Sequence, residues 1–317
     1  MHESRRGTCQ SPGNEAKRRR RNLWTAQFVI GELLTMEKIR QLGATDIAAG
    51  MELSAFAGWN QTAEDWRMLL RLAPEGCFGF EVEDRLVATT TLICYGKQLG
   101  WIGMVLTHPE FRGRGFAKRL LEHVLQRADA ADIRTLKLDA TEQGKPLYEK
   151  YGFKSQQAVE RWGAECAEVG AAGYSDFEDR RNLDAKAFGV DRSVLLQALA
   201  SRGRSIWSAA GFLMTRTGRV ASYLGPCVAR DVESARDLLS QFTQQQREVK
   251  GALRSREPEV RQCREWYWDL LPDNRTAIEI ANELGFTPKR QLTRMVRGEG
   301  FRGRDELVYA IAGFEIG

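Results

Sequence analysis

The chain of 317 residues contains no Cys-x-x-Cys pair. Its six cysteines, Cys9, Cys77, Cys94, Cys166, Cys227 and Cys263, are scattered singly. That spacing argues against a zinc site or a disulfide framework and fits a reducing compartment, and no metal is expected. Long apolar runs are missing too: nothing approaches the roughly 20 residues a membrane-crossing helix needs. The first residues carry charge without the apolar core of an export signal, so the expected location is cytoplasmic, with no membrane partner. A Gly-x-Gly-x-x-Gly loop after a first strand is absent, and so is the P-loop lysine pattern, which removes two common phosphate-binding schemes. The folded part also lacks a basic surplus. Residues 1–35 hold seven Arg or Lys against three Glu, so of the net +5 only about +1 belongs to the rest. A nucleic-acid partner would rest on "KRRRR" (17–21) alone, a run without interleaved aromatics, and is therefore disfavoured.

What is present divides into three parts. Residues 1–35 are polar, then strongly basic, and read as a solvated, disordered tail. From Met36 the pattern alternates strand and helix signals. "IRQLG" reads as a strand, "TDIAAGMELSAF" and "AEDWRMLLRLA" as helices, and "CFGFEVEDRLVATTTLICYG" as a hairpin. "GWIGMVLTHPE" is a strand that Pro109 stops. Phe116, Leu120, Leu121, Val124 and Leu125 then mark one face of an amphipathic helix. "IRTLKLDAT" is a further strand, "KPLYEKYGF" a short helix, and "FKSQQAVERWGAE" contains a last strand. The second half repeats the first. Residues 102–124 align without a gap to 220–242, "LYEKYGF" (147–153) to "IANELGF" (280–286), and "MELSAF" to "NLDAKAF" ending at Phe188. The Gly- and Ala-rich stretch near 163–176 is the expected boundary, giving units 36–165 and 175–317. The fold class expected is α/β, a mixed sheet flanked by helices, present in two tandem copies.

"HPEFRGRGFAKRLL" (108–121) is costly unless an anion is held there. Glycine weakens a helix start and clustered arginines repel. A helix N-terminus offers free backbone N–H groups and a favourable dipole, glycines allow close approach, and arginines add charge-assisted hydrogen bonds. Arg112-x-x-Gly115-x-Ala117 is similar to the Arg/Gln-x-x-Gly-x-Gly/Ala motif of the GNAT superfamily of acyl-CoA-dependent N-acyltransferases. "LTHPEFRGRG" and "LYEKYGF" resemble its other hallmarks, in the expected order, over about residues 36–163. The resemblance implies a sheet whose two central parallel strands splay apart, one ending near Thr107 and the other near Asp139. Acetyl-CoA is the implied co-substrate. Its pantetheine arm would pair with backbone near Leu106 and Thr107, and its pyrophosphate would lie on Arg112, Gly113, Arg114, Gly115, Phe116, Ala117 and Lys118. Tyr148 falls in the slot of the family's acid, which protonates the departing thiolate. Trp59, with Asn60, lies where relatives shape the acceptor pocket. Thr141 stands where many relatives carry an Asn that contacts the cofactor. The base is left open among Asp139, Glu142, His108 and Glu81, or a water chain.

The second copy is altered at the same places. The ungapped alignment sets Asp231 and Glu233 against Gly113 and Gly115, and Ala281 against Tyr148, while Asn274 keeps the family's Asn. Carboxylates where phosphates would lie repel them. The second copy is therefore expected to keep the fold and to have lost cofactor binding, resembling the degenerate domain of some tandem members. Trp266, Tyr267 and Trp268 are placed just ahead of its second splayed strand, in a pocket, an interface or the core. The function implied is acetyl transfer from acetyl-CoA to a small-molecule or protein amine in the first copy. The alternative is a non-catalytic acyl-CoA sensor. The residues specify neither the acceptor nor an oligomeric state.

Overall fold

A computed structural model describes residues 36–166, 178–254 and 264–317. The basic tail and the centre of the expected boundary lie outside these residues. The first copy runs β1 (Glu37–Gln41), α1 (Ile47–Phe56), α2 (Ala63–Leu72), β2 (Cys77–Val82), β3 (Arg85–Tyr95), β4 (Leu99–Thr107), α3 (Phe116–Ala130), β5 (Thr135–Ala140), α4 (Lys145–Lys150) and β6 (Lys154–Cys166). The second runs α5 (Glu178–Phe188), α6 (Ser193–Ala200), β7 (Gly203–Ser208), β8 (Gly211–Arg216), β9 (Ala221–Ala229), α7 (Val232–Arg254), β10 (Arg264–Leu270), α8 (Arg275–Glu283) and β11 (Thr287–Gly298). From α1 to β6 and from α5 to β11 the order of elements is the same, as the repeat requires. A short strand β12 (Val308–Ala310) follows.

The mixed sheets of the two copies fuse into one of twelve strands, ordered β1-β2-β3-β4-β5-β11-β6-β10-β9-β8-β7, with β12 on β9. The copies exchange their last strands. β11 of the second copy pairs antiparallel with β5 of the first, β6 of the first pairs with β10 of the second, and β11 and β6 pair with each other. Arg290 opposite Arg161 and Arg294 opposite Gln157 fix this central register and relate the two halves by an approximate twofold axis. The copies expected over 36–165 and 175–317 do not form separate sheets, because strand pairing crosses between them.

Side chains explain why the exchange holds. Met295 of β11 packs in the core of the first copy with Phe80, Leu120, Val124 and Tyr148. Trp162 of β6 packs in the core of the second with Leu238, Phe242 and Trp268. A third apolar cluster draws on both copies, from Trp66 and Trp101 to Phe212 and Ile316. Two buried ion pairs flank the axis. Arg294 donates from Nε and Nη2 to both oxygens of Asp139, at 2.8 and 2.9 Å. Arg161 does the same to Asp269 at 2.7 and 2.6 Å. Each pair joins one copy's second splayed strand to the other copy's final strand. Trp266, Tyr267 and Trp268 lie within β10 rather than ahead of it, and the indoles of Trp266 and Trp268 are core.

Breaking one partner of such a pair strands a buried charge, whereas removing both does not. Arg294→Met is expected to lower the free energy of urea unfolding by about 3–5 kcal/mol. The double variant Asp139→Leu/Arg294→Met is expected to recover most of that loss in the same titration.

Candidate functional site

Parallel pairing between β4 and β5 covers Leu99–Thr135, Gly100–Leu136 and Trp101–Lys137 and then stops, although β4 runs on to Thr107 and β5 to Ala140. The strands diverge there, so β4 from Ile102 onward has backbone groups without a partner on that side. Met104 has a positive φ of 48° at a break in the β3–β4 register, and its carbonyl accepts a hydrogen bond from the Thr89 hydroxyl at 2.8 Å. A cavity of about 770 Å³ fills the opening.

One end of the cavity is the loop between β4 and α3. Gly113 and Gly115 have φ of 77° and 82°, the left-handed region that glycine adopts without strain, and neither has an atom within 4 Å of where a Cβ would be. Gly115 is the N-cap residue of α3 and supplies no side-chain cap, so the first N–H groups of the helix are left for an anion. Arg112, Gly113, Gly115, Phe116, Ala117 and Lys118 line the cavity, as do Leu106 and Thr107 on β4. Phe116 turns its ring into the core, 4.5 Å from that of Phe80, so only its backbone is offered to the loop. Arg114 departs from expectation. It is not among the lining residues, and its guanidinium lies 4.9 Å from the Phe111 ring centre.

Tyr148 sits on α4 and lines the cavity from the β5 side. Its ring packs in the core, its hydroxyl has no hydrogen-bond partner among the described residues, and burial pushes its ionisation above the usual phenol range. It stays protonated and is able to donate. Thr141 also lines the cavity, with its hydroxyl accepting from the Gly144 N–H at 3.0 Å.

The other end is built by both copies. Phe56, Trp59 and Gln61 come from the α1–α2 connection, Arg161 from β6, Arg290 and Leu292 from β11, and Phe314 and Glu315 from the segment after β12. The α1–α2 loop is clamped to the second copy. Asn60, fully buried, donates from Nδ2 to the Ala221 carbonyl at 2.7 Å and accepts at Oδ1 from the Val220 and Ala221 N–H groups at 2.6 and 3.0 Å. The Arg219 guanidinium donates to the Trp59 carbonyl. Sequence reasoning missed Arg161, Arg290, Phe314 and Glu315, since nothing in the motif spacing links them to residues 102–148.

The base candidates fare less well. Asp139 lines the cavity but is held bidentately by Arg294. Glu81 lies on β2, paired with Lys38 and Arg40, and outside the lining. Glu142 is exposed and outside it as well. His108 is buried between Phe56 and Phe111, its Nε2 lies 2.7 Å from Arg85, and it does not reach the cavity.

The second copy closes both features. β9 runs to Ala229 and α7 starts at Val232, so two residues stand where the first copy has eight. Asp231 caps α7, its carboxylate accepting from the Ser234 N–H at 2.8 Å. The structural counterpart of Gly115 is thus Asp231 rather than the Glu233 of the ungapped alignment, because the helix begins earlier in its register. The splay between β9 and β10 is filled by β12, which pairs with Val228 and Cys227 of β9, while the Ile311 N–H donates to the Asp269 carbonyl at 2.8 Å. Asn274 holds this plug, donating to the Val308 carbonyl at 3.0 Å.

A model of the acetyltransferase (GNAT) family matches residues 48–153, and one of an acetyltransferase (GNAT) domain matches 181–310. The chain is 29% identical over 177 residues to the uncharacterized N-acetyltransferase YitH of Bacillus subtilis (strain 168), covering 52% of this chain and 61% of that protein. It is 33% identical over 82 residues to the cysteine-rich protein 2-binding protein of Mus musculus, covering 26% of this chain and 9% of that protein. The alignments therefore span less than two-thirds of either relative. Among solved structures, a putative acetyltransferase from Pyrococcus horikoshii has a TM-score of 0.74 at 20% identity, over 90% of this chain and 97% of that one. A tandem GNAT protein from the clavulanic acid biosynthesis pathway has a TM-score of 0.57 at 18% identity, over 83% and 98%. These likenesses concern the fold.

The clamp on the α1–α2 loop is measurable. Asn60→Ala is expected to cost about 3 kcal/mol in chemical unfolding, since it orphans the buried N–H and C=O of Ala221 and the half-buried Val220 N–H. It is also expected to speed amide hydrogen exchange across residues 56–62 ahead of the surrounding strands.

Proposed function

Since the chain belongs to the GNAT acetyltransferases, with two copies in tandem, we propose that it is an acetyl-CoA-dependent N-acetyltransferase whose first copy carries the reaction. The observation that carries this reading is the contrast between the copies. An uncapped helix start beside two bare glycines opens onto the β4–β5 wedge, whereas in the second copy the helix is capped by a carboxylate and the wedge is plugged.

Acetyl-CoA, as co-substrate, supplies a thioester carbonyl open to attack by an amine. The residues fit it. The backbone of Gly113 to Ala117 would receive the pyrophosphate, with the Arg112 guanidinium and the Lys118 ammonium at its flanks. The unpaired edge of β4 at Leu106 and Thr107 would take the amides of the pantetheine arm. Tyr148 would protonate the thiolate as it leaves, and its raised ionisation keeps the proton available across neutral pH. Trp59, Gln61 and the residues from the second copy would surround the acceptor amine, which is a small molecule or a protein side chain or terminus.

Two measurements test this. Calorimetric titration of acetyl-CoA is expected to show binding to the full chain and a loss on the order of 100-fold in Gly115→Glu, where a like charge meets the diphosphate. Gly115→Ala, with the same backbone strain and no charge, is expected to lose far less, and equal losses in both would remove the phosphate-loop assignment. In a thiol-release assay with an amine acceptor, Tyr148→Phe is expected to lower kcat by about 100-fold with KM nearly unchanged. Tight acetyl-CoA binding without turnover on any amine would favour a sensor.

A further inference from the structure

An aliphatic amine is an ammonium ion at neutral pH and cannot attack a carbonyl until a proton leaves it. Asp139 is consumed by Arg294, and Glu81, Glu142 and His108 do not line the cavity. One further carboxylate does. Glu315 lies in the segment Ile311–Gly317, which follows the plug strand of the second copy and crosses to the first. The Tyr95 hydroxyl donates to the Ile316 carbonyl at 2.7 Å, the Trp101 indole to the Phe314 carbonyl at 3.0 Å, and Arg192 to the Gly317 carbonyl at 2.6 Å. These bonds seat Glu315 against Gly103 of β4, where a Cβ would come within 2.5 Å of the Glu315 carbonyl oxygen, so only glycine leaves room. Gly103 directly precedes the positive-φ Met104 at the mouth of the wedge.

Oε1 of Glu315 lies 3.5 Å from Nη2 of Arg216, a long contact, and the carboxylate also accepts from the residue's own backbone N–H. Near the same end, the buried Gln61 side chain leaves Oε1 without a donor. Glu315 and Gln61 thus both line one end of a cavity whose other end is built for an anion.

We propose that Glu315, contributed by the second copy, takes the proton from the acceptor's ammonium in the first copy's cavity, and that the acceptor is accordingly an alkyl amine. This rests on the N-acetyltransferase reading above. One N–H proton passes to Glu315 and the freed lone pair of nitrogen attacks the thioester carbon. The C–N bond forms and the C–S bond breaks. The thiolate takes the Tyr148 proton, and the second proton leaving nitrogen restores the tyrosine. Glu315 returns its proton to water, leaving an N-acetyl amine and a free thiol. The charged and titratable groups around Glu315 are Arg216 on β8, Asp65 on α2, Arg161 on β6, Tyr223 on β9 and Tyr95 on β3. Burial raises the Glu315 carboxyl above its ordinary range, against the opposing pull of Arg216. That brings it closer to the pH at which a carboxylate makes an effective base. Above that pKa the carboxylate is free to accept, so the rate falls as pH drops through it.

The test uses the full chain, acetyl-CoA and two probe amines, ethylamine, protonated at pH 7, and hydroxylamine, largely neutral there. Glu315→Gln is expected to lower kcat/KM for ethylamine at pH 7 by about 100-fold or more, but for hydroxylamine by less than about threefold. The ethylamine rate is expected to recover as pH rises toward the ionisation of the amine itself. Equal losses for both amines, or a wild-type pH profile, would overturn the assignment. If Glu315→Gln unfolds early or loses acetyl-CoA affinity, Glu315→Asp decides. Retention of the wild-type ratio of ethylamine to hydroxylamine rates supports the role, and loss of that ratio overturns it. Failure of the wild type to turn over either amine while binding acetyl-CoA would overturn the acetyltransferase reading itself, and the role of Glu315 with it.

Discussion

The molecule is organised around one ion pair that occurs twice. Asp139 with Arg294 and Asp269 with Arg161 are equivalent under the approximate twofold axis, each buried and each bidentate. A carboxylate on the second splayed strand of one copy requires the arginine on the final strand of the other. Either charge alone would be expensive in an apolar sheet, so the exchange of β6 and β11 is enforced electrostatically as well as by the packing of Trp162 and Met295. Neither copy has a complete sheet without its sibling. The wall of the cavity beyond the splay, from Arg161 to Leu292, exists because the strands crossed over.

Much of this could be read from the sequence where its signals are local. The amphipathic stripe of α3, the stop at Pro109, the bare glycines at 113 and 115 and the position of Tyr148 each follow from a few adjacent residues. The repeat was visible because apolar positions such as Leu120 and Leu238 keep their spacing. The ungapped register nonetheless misled at the loop, because two copies that share a helix core need not share a helix start. Strand exchange was not legible. Pairing of β11 with β5 joins residues about 150 positions apart, and the same pattern of alternation suits either partner. Asp139 looked like a candidate base for the same reason: its arginine lies in the other copy. Glu315 carried no motif at all.

The divergence of the copies follows from small chemical changes. Where the first copy spends eight residues between strand and helix, the second spends two, and Asp231 satisfies the N–H groups that Gly115 leaves free. Once a carboxylate caps the helix, its dipole is already complemented and a diphosphate gains nothing there. The vacated splay still has unpaired backbone, which a buried strand edge cannot tolerate, and β12 supplies the missing partners.

That plug has a consequence for the pair. The chain leaves β12 at Ala310 and proceeds directly into the segment that walls the first copy's cavity, so the two events share one length of polypeptide. Reopening the second wedge would pull Phe314 and Glu315 away from the first. Sealing one wedge and walling the other are thereby a single structural event, carried by residues 308–315.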